Sequence, residues 1–135
     1  MTGDLLTRSD TRTVLVCDDR KELRDAIGGL LAQLPAFRVV GYAADGTTCL
    51  TGVRTWRPDI LILDVNMPGG GPGVARDAKA ICAGLHIVVF SGQSDEFVRT
   101  RMLAAGADQY VIKTGRLSPL IRALHRARDD ASGHG

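Results

Sequence analysis

No stretch of this 135-residue chain approaches the ~20 consecutive apolar residues of a membrane span, and the polar opening from Met1 to Asp10 lacks the hydrophobic region of a signal peptide. Both absences point to the cytoplasm and away from a membrane. Cysteine is scarce: Cys17, Cys49 and Cys82 are odd in number, widely spaced and without a Cys-x-x-Cys pair. That pattern argues against a disulfide scaffold and a structural zinc site, and leaves reduced thiols in or beside a core. His86, His125 and His134 add no metal-ligand spacing. Nor is there an excess of one charge. With 17 basic and 15 acidic residues the net charge is +2, too mild and too dispersed to argue for nucleic acid or an acidic membrane surface. What remains is an ordinary globular composition, 44% hydrophobic, sufficient for one core and one domain.

Within it, one run stands out. Ile60-Leu61-Ile62-Leu63 is apolar throughout and stops at Asp64, and the run Pro68-Gly69-Gly70-Gly71-Pro72-Gly73 behind it cannot continue a strand. Asp64 is therefore expected at the carboxyl end of a strand buried on both faces. The same design recurs along the chain. Thr13 to Cys17 is β-rich and ends on Asp18-Asp19; His86 to Phe90 ends on Ser91-Gly92; Tyr110-Val111-Ile112 ends on Lys113; Phe37 to Tyr42 supplies a further strand.

Helical patterns alternate with these runs. Leu23, Ile27, Leu30, Leu31 and Leu34 recur at three- and four-residue steps in a helix over 21–34 closed by Pro35. Asp45 is expected to cap a helix reaching Trp56, and Val74 to Cys82 forms a weaker one that Pro72 can start. Ser94 is expected to cap a helix ending near Ala105 before Gly106, and Ser118-Pro119 opens a last one bearing Leu120, Ile121 and Leu124. Five strand–helix units predict a doubly wound α/β domain, a five-stranded parallel sheet with helices on both faces and right-handed crossovers. Residues 12–128 are expected to form the domain, 1–11 a disordered leader and 129–135 a polar tail or the start of a linker.

Parallel strands share a direction, so Asp18, Asp19, Asp64, Ser91 and Lys113 all project from one sheet edge. Three carboxylates brought together repel one another, and a divalent cation relieves this. Oxygen donors alone suit Mg²⁺, which keeps part of its water shell and favours phosphate as a remaining ligand. A lysine and a hydroxyl opposite the metal complete a site for a tetrahedral oxyanion, which makes phosphoryl transfer the chemistry to expect.

Asp18-Asp19, Asp64 followed by Asn66-Met67-Pro68, Ser91-Gly92, and the segment Gly106-Ala107-Asp108-Gln109-Tyr110-Val111-Ile112-Lys113 together resemble a bacterial two-component response-regulator receiver domain, of flavodoxin-like or CheY-like fold. The resemblance spans about Thr13 to Arg128. It is closest to the receivers of NarL/FixJ-type regulators, joined to helix-turn-helix DNA-binding domains, notably in Met67-Pro68-Gly69-Gly70-Gly71.

The resemblance implies that Asp64 accepts a phosphoryl group from a sensor histidine kinase or phosphotransfer protein. Asp19 would bind Mg²⁺ directly, Asp18 largely through water, and Asn66 through its backbone carbonyl. Lys113 would pair with a phosphoryl oxygen, Ser91 would swing toward it, and Tyr110 would turn into the vacated space. Asn66 and Gln93 would flank the path of attacking water and tune the acyl-phosphate lifetime. Also implied are homodimer formation on phosphorylation and relay to an output domain or partner, with DNA contact only through an output domain outside this sequence; a stand-alone regulator fits equally well. Two positions depart from the family: Pro72 replaces the glycine usual eight residues after the phosphoacceptor, and Thr114 replaces the proline that often follows the lysine.

Two other functions compete. A phosphohydrolase with an aspartyl-phosphate intermediate would carry an acid–base aspartate where this chain has Asn66, and an amide cannot act as a general acid or base at neutral pH. A receiver-like module that works unphosphorylated is disfavoured by the presence of all five expected groups.

Overall fold

The computed structural model describes residues 10–133. Strand and helix alternate throughout: β1 Arg12–Cys17, α1 Lys21–Leu31, β2 Phe37–Ala43, α2 Gly46–Trp56, β3 Ile60–Leu63, α3 Pro72–Ile81, β4 His86–Ser91, α4 Glu96–Ala104, β5 Gln109–Ile112 and α5 Ser118–Gly133. All strands are parallel and lie in one sheet of order β2-β1-β3-β4-β5. The order reverses at β1, whose two neighbours are β2 and β3. Crevices at such reversals, outside the carboxyl ends of the strands, are where doubly wound sheets bind ligands.

The apolar runs are explained by alternation between two buried faces. Leu15, Cys17, Leu61, Leu63, Ile87 and Val89 point to one side, where Cys49 and Val53 of α2, Val74, Ala75 and Ala78 of α3, and Met102 of α4 pack on them. Val14, Val16, Ile60, Ile62, Val88 and Phe90 point to the other, beneath Ile27 and Leu31 of α1 and Leu120, Ala123, Leu124 and Ala127 of α5. Both faces of the three central strands are thus closed by helices, and only the strand ends remain for chemistry.

Several helix boundaries follow the expected signals. The Asp45 carboxylate accepts the Thr48 N–H at 2.8 Å, and Pro72 occupies the first turn of α3, where its missing N–H leaves no helical bond unmade. Pro72 in the glycine position therefore starts the helix. Three boundaries differ. The cap of α4 is Asp95, not Ser94: the carboxylate next to Glu96 accepts the Phe97 N–H at 2.8 Å, and a charged acceptor at a helix N-terminus also opposes the helix dipole. The first helix closes at Leu31 rather than Leu34, because Gln33 and Leu34 donate to Leu30 and Leu31 in tight turns ahead of Pro35. The last helix passes Arg128 and continues to Gly133, so residues 129–133 of the expected tail are helical.

Of the expected leader, residues 1–9 lie outside the described residues, as do 134–135 at the other end. The Asp10 carbonyl accepts the Arg128 Nε–H at 2.9 Å, which ties the entry to β1 against α5. The described residues contain no cis peptide, the Lys113–Thr114 bond included, and no helix among them is long and apolar enough to cross a membrane.

Candidate phosphoryl-transfer site

The carboxyl edge of β1, β3, β4 and β5 brings the predicted residues together. Val16 pairs with Ile62 and Cys17 with Leu63, so Asp18 and Asp64 leave adjacent strands at the same level. The Asp64 N–H donates to the Cys17 carbonyl at 3.0 Å and continues the ladder up to the acid itself. One carboxylate oxygen from each of Asp18, Asp19 and Asp64 lies within 4.8 Å of the others. Asp18 and Asp64 are buried, at 2% and 3% exposure, whereas Asp19 faces solvent. Among the described residues this is the one such cluster of metal-ligating side chains.

Lys113 enters from the end of β5. Its Nζ donates to Asp18 Oδ2 at 2.7 Å and lies 3.6 Å from Asp64 Oδ2. The ammonium also sits 5.7 Å from the Phe90 ring centroid, and a cation over an aromatic face is held electrostatically. The lysine thus lies between two of the three acids. Burial pushes the Asp64 carboxyl above the usual carboxylate range, opposed by the Asn66 N–H that donates to Asp64 Oδ1 at 3.1 Å; the charge of Asp18 adds to the rise, Lys113 counters it, and Asp19 adds again. Hard oxygen donors in negative excess, open to solvent on the Asp19 side, fit a small divalent cation such as Mg²⁺.

On the β4 side, Ser91 is fully buried and its Oγ accepts the Gln93 N–H at 3.1 Å. Gln93 is a junction: its carbonyl accepts the Tyr110 hydroxyl at 2.8 Å, and its side-chain amide donates to Asn66 Oδ1 at 3.1 Å. Asn66 and Gln93 therefore touch each other across the mouth of the site. Burial raises the Tyr110 phenol above its ordinary value, against the opposing effect of the neighbouring Ser91 hydroxyl.

Two residues that the sequence reading passed over also converge here. The Arg20 N–H donates to Asp18 Oδ1 at 2.9 Å, and Arg24 Nη1 donates to the Asp18 carbonyl at 2.9 Å. Arg20 gives only its main-chain N–H, as the N-cap of α1, and Arg24 meets a main-chain carbonyl, so neither contact had a signal in the side-chain pattern.

Comparison with known proteins agrees with this geometry. Residues 14–125 match the family model described as the response regulator receiver domain. The chain is 33% identical over 114 residues to the response regulator GacA of Pseudomonas aeruginosa, covering 84% of this chain and 53% of that protein. It is 32% identical over 123 residues to the nitrate/nitrite response regulator NarL of Escherichia coli, covering 90% of this chain and 57% of that one. The chain thus spans about half the length of these relatives. Among solved structures, a LuxR-family two-component response regulator from Aurantimonas superposes with a TM-score of 0.83 at 25% identity, over 89% of this chain and 86% of that one.

Proposed function

Since this chain belongs to the response regulator receiver domain family, the signalling domain of two-component systems rather than a classical enzyme, we propose that it is a phosphorylation-activated switch whose phosphoacceptor is Asp64. The observation that carries this reading is the meeting of three carboxylates within 4.8 Å with the Lys113 ammonium beside two of them. An Asp64 oxygen attacks the phosphorus of a phosphohistidine on a sensor kinase or phosphotransfer protein. The new P–O bond forms as the P–N bond breaks, and the imidazole leaves with the electron pair and takes up a proton.

Asp19 would hold Mg²⁺ directly, Asp18 through water, and Asp64 and the Asn66 carbonyl would complete the protein's share of its ligands; bound there, the ion offsets charge on the phosphoryl oxygens. Lys113 is placed to leave Asp18 and pair with a phosphoryl oxygen. Ser91, whose Oγ accepts the Gln93 N–H, would swing toward that group to donate its own O–H, and the loop that Gln93 shares with Tyr110 would move with it. This is a shift between two packings biased by new charge-assisted hydrogen bonds. Asn66 and Gln93, bonded across the mouth, control the approach of water to the acyl phosphate. The switch acts in the cytoplasm, with β1 through α5 as the receiver unit. As the resemblance to NarL/FixJ-type regulators implies, its output is transcriptional, through a DNA-binding output domain and with homodimer formation on phosphorylation.

The phosphohydrolase alternative draws no support from the site, since Asn66 offers an amide, already engaged by Gln93, in place of an acid–base carboxylate. Incubation with Mg²⁺ and acetyl phosphate followed by intact mass measurement tests the proposal. A single phosphoryl adduct is expected, lost without Mg²⁺ and in Asp64→Asn; an unmodified wild type, or an adduct that survives the substitution, refutes it.

A further inference from the structure

Asp18 is gripped at four points. Its N–H donates to the Ala43 carbonyl at 3.0 Å, its Oδ1 accepts the Arg20 N–H at 2.9 Å, and its Oδ2 accepts Lys113 Nζ at 2.7 Å. The fourth contact, Arg24 Nη1 to the Asp18 carbonyl at 2.9 Å, comes from a side chain to which the proposed chemistry gives no role. Arg24 is half-buried, and among the described residues it has no carboxylate within ion-pair distance. Its placement is therefore not explained by an ion pair.

The Asp18 carbonyl belongs to the peptide plane that joins Asp18 to Asp19. That plane is rigid, so a bond to its oxygen fixes its rotation and with it the direction in which Asp19 leaves the backbone. Asp19 is the exposed member of the acid cluster, and among the described residues no group donates a hydrogen bond to its carboxylate. Resting on the proposed reading of the site, we infer that Arg24 is a positioning residue: by holding the Asp18 carbonyl it presents the Asp19 carboxylate to Mg²⁺. Arginine suits the task because its planar fork loses less freedom per hydrogen bond than an ammonium does.

The test uses Arg24→Met, Arg24→Gln and Arg24→Lys beside the wild-type chain. Titration calorimetry with Mg²⁺ alone should show affinity falling by about tenfold in Arg24→Met, the size expected when a group that orients a ligand is removed, with Arg24→Lys recovering most of it. In acetyl phosphate kinetics the Mg²⁺ concentration for half-maximal adduct formation should rise by the same factor, while the rate at saturating Mg²⁺ changes by less than about twofold. Should Arg24→Met fail to fold, Arg24→Gln carries the same comparison. A purely structural role would lower thermal stability and leave the Mg²⁺ constant unchanged, which overturns the inference. Wild-type protein that binds Mg²⁺ but gains no adduct overturns the phosphoacceptor reading and leaves Arg24 to be judged by calorimetry; wild-type protein that binds no Mg²⁺ overturns both.

Discussion

Replacing Lys113 by methionine keeps a long flexible side chain and removes the ammonium that lies between two buried carboxylates. This ion pair is well shielded: the lysine side chain is 18% exposed and those of Asp18 and Asp64 are 3% exposed. At an effective dielectric near 20, opposite charges about 4 Å apart attract by about 4 kcal/mol, much of it offset by the desolvation of both partners. Truncating one side of a buried pair costs about 3–5 kcal/mol, because the other side is left uncompensated. The partial exposure of Lys113 favours the lower end, so Lys113→Met should lose about 3 kcal/mol of metal-free stability, a large share of the ~5–15 kcal/mol typical of a domain.

Mg²⁺ should restore much of that loss. An ion at 100 times its dissociation constant stabilises the folded state by about 2.7 kcal/mol. In the wild type the Lys113 ammonium already offsets part of the acid cluster's charge, whereas in the variant the ion meets that charge uncompensated. Urea unfolding of both proteins, with and without Mg²⁺, measures the four free energies. The reasoning fails if the metal-free loss is below about 1 kcal/mol, or if Mg²⁺ stabilises the variant no more than the wild type.

Three further outcomes follow from the same structure. Because burial raises the Asp64 pKa, the folded state binds this proton more tightly than the unfolded state, so metal-free stability should fall as pH rises from the ordinary carboxylate range through the raised value; Asp64→Asn should flatten that slope and be the more stable protein at neutral pH, as measured by denaturant titration across pH. An added Cβ at Gly46 would sit 2.4 Å from the Gly69 carbonyl oxygen, so Gly46→Ala should cost about 1–3 kcal/mol, whereas at helical Gly29 nothing lies within 4 Å and Gly29→Ala should add about 0.5–1 kcal/mol, both read from unfolding midpoints. Burial and the neighbouring Cys49 thiol hold the Cys17 thiol protonated, so a thiol reagent should label half-buried Cys82 in the native protein and reach Cys17 and Cys49 only on unfolding; rapid labelling of either would contradict the buried assignment.

Much of this architecture was legible because the signals were redundant. Each central strand reads as an unbroken apolar run since it is buried on both faces, and each run stops at a polar group because the strand ends there. Parallel direction then forces those ends to one edge, which is why Asp18, Asp64, Ser91 and Lys113 could be grouped before any coordinates. Less legible were choices between adjacent equivalents. Ser94 and Asp95 can both cap a helix, and only the backbone path decides that Asp95 meets the Phe97 N–H. The end of α5 was equally obscure, since Asp129 and Asp130 tolerate helix and linker alike. Arg24 was missed for another reason: its partner is a main-chain carbonyl, which leaves no mark in side-chain patterns.

The central claim, that Asp64 is the phosphoacceptor, is tested most directly by locating the modified residue. Borohydride reduces an aspartyl phosphate to homoserine, so protein treated with Mg²⁺ and acetyl phosphate, then reduced, digested and sequenced by mass spectrometry, reports the site itself. Homoserine at position 64 and nowhere else is the predicted result; homoserine at Asp18 or Asp19, or at no aspartate, would contradict it.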